Sequence, residues 1–531
     1  MHPRAAIARL GTPHEILLAT LLIAGLGGVL IPSRTASARN AAHPARRSRA
    51  PEPGLTPQQL HAAYELPSTT ASSSSQTIAL IELGGDPTLE PDLAIYDKRY
   101  GLPACTRSNG CLRVINEDGG TTPQPQSSFR SGETSIDVQL AHAVCQNCHI
   151  VVVQANPESA NWIEALGIAT NTAIREGATE VTICIELYRA ETEAEEARYL
   201  KEANEKYFDH PGIVITVASG DCGYDETNDP EHWEFCETVR QRYPSFPAKS
   251  STVVTVGGTS LREHGGEWTS TVWAQGGSGC SSIFPAPPWQ QSVAGWASVG
   301  CGSQRLNVDV AAVANPNTGP AIYDSTAAGD WSPAGLGHAG GTSVAAPIVG
   351  AEFALAGGAR GVAYPAQTLY SHAGDGTAFE DVSEGSNGLC AAAVTVCSAT
   401  VGYDGPSGLG TPVGLSAFSL PGGPTLERLP GVSGVAVVGH RLTVRPGGWG
   451  GAPTSSGYQW EDCSHGEAGC LPIEGATRAT YTLSGRDVNR KVRVMETVGN
   501  SSGYAAPAFS PVTGVVRPAE GATRHRRGRA H

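Results

Sequence analysis

The 531-residue chain is short of positive charge. It carries 36 Lys and Arg against 50 Asp and Glu, a formal charge of -14. That balance argues against nucleic acid or an anionic membrane as its main partner. Charge of either sign is sparse, at 16% of residues. Long apolar runs are almost absent as well. The exception is ILLATLLIAGLGGVLI at 16–31, whose sixteen residues include three glycines and are short for a membrane span. Arg4 and Arg9 precede it and Ala36-Ser37-Ala38 follow, so 1–38 is expected to be a secretory signal that is removed. Nothing else is long enough to cross a bilayer. The pair CQNC (145–148) has no second CxxC to accompany it, which disfavours a zinc site and leaves a small structural loop.

What is present is glycine (65) and proline (37), hence many turns, and 40% hydrophobic residues, enough for a large core and a smaller second domain. Thirteen cysteines in an exported chain form six couples by proximity: Cys105 with Cys111, Cys145 with Cys148, Cys222 with Cys236, Cys280 with Cys301, Cys390 with Cys397, and Cys463 with Cys470. Cys184 is left over inside the apolar run VTICI and is expected to be a buried core residue, because no basic partner sits beside it.

Residues 39–54 are basic and contain proline, a linker pattern. From 55 to 420 apolar strand patterns (77–83, 149–155, 181–185, 213–219, 253–258) alternate with helical ones (131–144, 159–175, 190–208). This predicts an α/β domain with a mostly parallel sheet flanked by helices, its working residues at the carboxyl ends of strands. After 420–431 the segments become short and alternating. They predict an all-β, immunoglobulin-like sandwich over 424–516, with Trp460 in its core beside Cys463, and then a basic, disordered tail at 517–531.

Two stretches offer chemistry. SGETSIDVQLAHAV (131–144) places Glu133 and Asp137 about one turn apart on one helix face, where like charges repel and titrate as a pair. GHAGGTSVAAPIVGAEFALAGG (337–358) places Ser343 at a helix start despite Pro347. There a serine is either a simple cap or a nucleophile facing unpaired N–H groups.

GGTSVAAP resembles the serine motif of subtilisin-like enzymes. With LTPQQLHAAYELP (55–67), IALIELGG (78–85), GETSIDVQLA, VITVASGDCG (213–222), FPAKSSTVVTVGGTSL (246–261) and GGSGCSSIFPAPPWQ (276–289), the chain resembles the sedolisin or kumamolisin-like serine-carboxyl peptidases over nearly all of 55–420. The resemblance implies a secreted, acid-acting endopeptidase on a subtilisin-like fold, acting on protein and peptide substrates as a monomer. Ser343 would be the nucleophile, Glu133 the general base and Asp137 the residue that orients and tunes it. The Asp221 carboxyl would line the oxyanion hole, and Glu82 would extend the acid network. A carboxylic acid in an oxyanion hole must be protonated to donate, which ties activity to low pH. The resemblance also implies one structural Ca2+ held by the side chains of Asp381 and Asp404 and the carbonyls of Val382, Thr400 and Gly402. Without it these would read as two surface turns.

The pattern is broken in two places. Only about sixteen residues separate the expected signal cleavage from the catalytic start, where the family carries a long prodomain. Cys184, Ile185 and Glu186 stand where relatives have a Ser-Trp-Gly-like strand end, so Glu186 is expected to narrow or recharge the cleft. The competing expectations are a peptidase-fold binding protein without activity, and an adhesion protein that contacts cell wall or polymer through its C-terminal sandwich.

Overall fold

A computed structural model describes residues 52–126, 131–185, 193–224, 245–326, 334–463, 470–500, 503–505 and 507–519. The expected signal, most of the linker and most of the tail lie outside the described residues, as do Glu186 and Cys236. The elements that position the site are α1 (Pro57–Ala63), β1 (Thr77–Leu83), α2 (Leu89–Tyr100), β2 (Leu112–Asn116), α3 (Ser131–Val144), β3 (His149–Ala155), α4 (Trp162–Arg175), β4 (Glu180–Ile183), α5 (Glu193–Tyr207), β5 (Val214–Ala218), β6 (Val254–His264), β7 (Glu267–Val272), β8 (Val310–Val313) and α6 (Thr342–Ala356).

Seven strands pair in parallel in the order β8-β6-β5-β4-β1-β3-β2, and β7 folds back antiparallel on β6. A parallel sheet needs both faces covered, and its strands therefore read as continuous apolar runs. β1 shows how the period of two divides them. Ile78 and Leu80 face one core with Val138, Leu140, Ile348 and Phe353, whereas Ala79 and Ile81 face the other with Ile163, Leu166, Leu200 and Tyr207. Thus α3 and α6 lie on one face of the sheet, and α4 and α5 on the other.

α6 is unusual in being buried all round. Thr342 and every residue from Val344 to Ala356 are buried, and Ser343 at the second position emerges. A helix apolar on every side belongs inside a core. Each large side chain there, such as Ile348, Phe353 or Leu355, contributes about 1.5–3 kcal/mol by leaving water. The close seat depends on Gly350, where a Cβ would come within 2.7 Å of Thr182 Oγ1 and 2.9 Å of Thr216 Oγ1. Those hydroxyls belong to β4 and β5, so the missing side chain lets the helix lie on the middle of the sheet.

The C-terminal region is antiparallel. A three-stranded sheet of Gly431–Ser433, β9 (Arg441–Arg445) and Thr480–Thr482 accompanies a larger one centred on β10 (Ser455–Cys463) and β11 (Lys491–Asn500). Leu442, Val444, Trp460, Val492 and Val494 share a core. Trp460 is fully buried and its Nε1 donates to the Arg478 carbonyl at 2.8 Å, which satisfies the one polar group the indole takes inside.

Five of the expected disulfides are formed: Cys105–Cys111, Cys145–Cys148, Cys280–Cys301, Cys390–Cys397 and Cys463–Cys470. Cys222 is also disulfide-bonded. Cys184 is the free thiol among the described residues, and it is buried. No helix among the described residues is long and apolar enough to cross a membrane.

Candidate active site

Five segments distant in sequence converge at the carboxyl ends of the central strands. α3 supplies Glu133, half-buried, and Asp137, fully buried. The end of β1 supplies Glu82, 1% exposed, whose Oε2 accepts a bond from Thr134 Oγ1 at 3.1 Å. Cys184 follows β4, and Asp221 follows β5. The N-terminus of α6 supplies Thr342 and Ser343.

Ser343 is not a cap. Gly341 occupies the N-cap position with φ 98°, and no side chain bonds there. Ser343 Oγ donates instead to the Cys184 carbonyl at 3.4 Å, and Cys184 Sγ donates back to the Ser343 carbonyl at 3.5 Å. That carbonyl needs an outside donor because of Pro347, four residues on, which has no N–H to give it. The end of β4 and the N-terminus of α6 are therefore stitched in both directions through Cys184.

Asp221 is held by the residue before the serine. Its Oδ1 accepts from the Thr342 N–H at 2.7 Å and from Thr342 Oγ1 at 3.0 Å. Its Oδ2 lies where a Cβ on Gly341 would come within 2.7 Å. Glycine at 341 thus serves twice, by taking a positive φ and by leaving room for the carboxyl against the chain. Burial raises the Asp221 pKa, and the two Thr342 bonds oppose part of that rise.

The acid cluster is built around Asp137. No N–H or hydroxyl group among the described residues donates to either of its oxygens. Its surroundings are the carboxyls of Glu82 and Glu133 and the Cys184 thiol. Burial pushes its pKa well above the usual carboxylate range, and the neighbouring negative charges push the same way. Two carboxyls in contact can bond to one another only when one is protonated.

The structure places Glu133 and Asp137 beside Cys184 with Glu82 next to them, links Cys184 to Ser343, and links Asp221 to Thr342, the residue before Ser343. One neighbour was not singled out by sequence, and another was read from two sides. Thr342 is the group that grips Asp221, and its position next to the serine was the available signal. Cys184 was expected to be a buried core residue and also to belong to the altered strand end at the cleft; it is buried, and it sits between the apolar core and the acid cluster.

Comparison with known proteins shows what the chain is similar to. Kumamolisin from Bacillus sp. (strain MN-32) is 30% identical over 385 residues, which cover 70% of this chain and 64% of the relative. The chain is homologous to the sedolisins. Sedolisin itself, from Pseudomonas sp. (strain 101), is 27% identical over 383 residues, or 67% of this homologue and 60% of that protein. The chain therefore spans less than two thirds of the length of these relatives. A solved structure of Pseudomonas sedolisin, a serine-carboxyl proteinase complexed with two molecules of pseudo-iodotyrostatin, matches with a TM-score of 0.54 at 23% identity. The match covers 68% of this homologue and 96% of that chain, and it shows the α/β fold. No protein-family model matches the chain.

The expected cation site lies apart from this cluster. The Gly402 N–H donates to the Asp381 carboxylate at 3.0 and 3.2 Å, which ties the 400–404 turn to Asp381. Asp404 is fully buried and accepts from Thr400 N at 2.9 Å and from Ser407 N and Oγ at 3.0 and 2.8 Å. Burial, and the nearby Asp381 charge after it, push the Asp404 pKa up to about 7. A buried Asp404 carboxyl with the Asp381 carboxylate nearby fits a hard, oxygen-seeking cation such as Ca2+.

Proposed function

We propose that this protein is a secreted, acid-acting serine-type endopeptidase. The observation that carries the reading is Ser343. It is the half-exposed residue of a helix otherwise buried, bonded to Cys184, whose sulfur lies within 4.8 Å of the Glu133 and Asp137 carboxyl oxygens, and it follows Thr342, which grips the Asp221 carboxyl. Ser343 attacks the peptide carbonyl as Glu133 takes its proton, and Asp137 orients and tunes Glu133 through their shared charge. The tetrahedral oxyanion is held by the Ser343 N–H and by Asp221, which is already gripped at Oδ1 and offers a proton from Oδ2. Glu133 then returns its proton to the leaving amine and activates water to hydrolyse the acyl-enzyme. Carboxyl groups suit this division of work in acid, where an imidazole base would already be charged.

Asp381 and Asp404, with the carbonyls of Val382, Thr400 and Gly402, would hold one Ca2+, whose part is to neutralise the turn and fix it. Disulfides and the N-terminal segment support export. The C-terminal sheets are read as an immunoglobulin-like module of about 424–516.

The test is cleavage of a denatured protein by the full chain and by Ser343→Ala across acidic pH. Cleavage by the first alone is expected. Equal cleavage by both, or by neither under any acidic condition, would overturn the reading.

A further inference from the structure

The net charge of -14 conceals a division along the chain. Residues 55–423 carry 16 Lys and Arg against 40 Asp and Glu, whereas 424–531 carry 13 against 8. The larger domain is strongly acidic and the C-terminal region basic, an asymmetry that directs an anionic partner to the latter.

Part of that positive charge is gathered on one sheet face. β9 is the middle strand of the three-stranded sheet, between Gly431–Ser433 and Thr480–Thr482. Its residues alternate, with Leu442 and Val444 in the core and Arg441, Thr443 and Arg445 exposed. The register sets Ser433 and Thr480 on either side of Thr443, and Thr482 beside Arg441. Gly431 lies opposite Arg445 and has no side chain to cover it. Arg478, also exposed, stands two residues before Thr480. No carboxylate and no aromatic ring holds an outward position on these three strands.

Arginine on an exposed strand is ordinary, but these charges are unpaired. On the neighbouring sheet Arg493 of β11 stands directly opposite Glu461 of β10, with Nε 2.7 Å from its carboxylate, and Arg490 is paired with Asp462. Among the described residues no carboxylate pairs with Arg441, Arg445 or Arg478. Like charges on one face repel until an anion lies among them. Arg441 and Arg445 are four residues apart on an extended strand, about 13 Å, with the Thr443 hydroxyl between them.

We propose that this face binds a polyol-phosphate chain, an extended polyanion with exposed phosphodiesters and no bases. Each guanidinium fork matches two phosphate oxygens, and the threonine hydroxyls between the forks donate to others. Single-stranded nucleic acid fits this face less well, because sheets that bind it supply aromatic rings on which bases stack. A carboxylate polymer is disfavoured because it loses charge in acid, where arginine and phosphodiester keep theirs. That last preference rests on the acid-acting peptidase reading, whereas the binding itself does not.

The test is fluorescence anisotropy of a labelled poly(glycerol phosphate) chain with the full-length Ser343→Ala protein at low salt, at about pH 7 and about pH 4. Binding at both is expected, and it should weaken as salt rises. Arg441→Ser with Arg445→Ser should weaken it about tenfold. Arg175→Ser with Arg198→Ser removes the same charge from exposed positions on α4 and α5, and should leave it within about twofold. Thr443→Asp, which sets a carboxylate between the two guanidiniums, should weaken binding as the arginine pair does; it decides the matter if that pair lowers the thermal midpoint. No binding, equal weakening by the two arginine pairs, or tighter binding of single-stranded DNA at matched phosphate concentration would overturn the proposal. The readout does not involve turnover, so its failure leaves the peptidase reading standing.

Discussion

Glu180, at the start of β4, is fully buried under the end of α6 and takes no part in the proposed chemistry. Its Oε2 accepts from Thr179 Oγ1, while no donor among the described residues reaches Oε1. Gly358 leaves the space beside that oxygen, since a Cβ there would lie 2.9 Å from it. Burial pushes the Glu180 pKa from 4.5 up to about 8. The folded chain therefore binds this proton more tightly than the unfolded chain does. The resulting stability is fully present below about pH 4.5 and is lost as pH rises through about 8. Each pH unit in that window is about 1.4 kcal/mol, so the loss from Glu180 alone reaches on the order of 3 kcal/mol at neutral pH. Against a typical total of about 5–15 kcal/mol this is large. Glu180→Gln keeps the shape and is neutral at every pH. Urea unfolding of Glu180→Gln and its parent, both carrying Ser343→Ala to prevent self-digestion, should give equal midpoints near pH 4. They should diverge in favour of the glutamine variant as pH rises. The comparison cancels the other buried carboxyls, including Glu352 and Asp97. Parallel curves between about pH 4 and pH 9 would refute the argument.

Asp221→Asn should flatten the alkaline limb of the kcat profile, because an amide donates at any pH, and Asp221→Ala should lower kcat about 10²–10³-fold throughout. A full-length chain with either change and an unaltered profile would remove Asp221 from the oxyanion hole. Gly350→Val should destabilise the protein by at least about 1–3 kcal/mol, since its side chain would meet the Thr182 and Thr216 hydroxyls; thermal unfolding in the Ser343→Ala background measures it. Chelation of Ca2+ should lower the melting temperature and its return should restore it. In Asp404→Asn this response should be largely lost, and an undiminished response would place the ion elsewhere.

Much of the architecture was legible because its signals are local. The apolar runs at 77–83 and 149–155 match β1 and β3 end to end, and the 131–144 pattern matches α3. Other boundaries moved by a few residues: the helix expected at 159–175 begins at Trp162 after the Asn161 cap, and the strand expected at 253–258 extends to His264 as half of a hairpin with β7. The five disulfides followed proximity because each joins cysteines adjacent in chain order, at separations of 3 to 7 residues except for the 21 of Cys280–Cys301. The ExxxD spacing put Glu133 and Asp137 on one helix face but could not say that the face is interior. Nor could it say that Glu82 would share their space. Cys184 was judged by its apolar neighbours in sequence, and its carboxyl neighbours come from α3, some fifty residues away.

Residue order thus specifies the elements, the acid pair and the serine at a helix start, since periodicity, capping and loop closure act over a few residues. Packing sets the rest. The strand order β5-β4-β1 aligns Asp221, Cys184 and Glu82 at adjoining strand ends, and Gly350 seats α6 so that Ser343 meets them. Whether a carboxyl is protonated depends on how completely water is excluded and which charges stand beside it. Those are properties of the assembled interior, so the raised pKa values of Asp137 and Asp221 exist only once the sheet has formed.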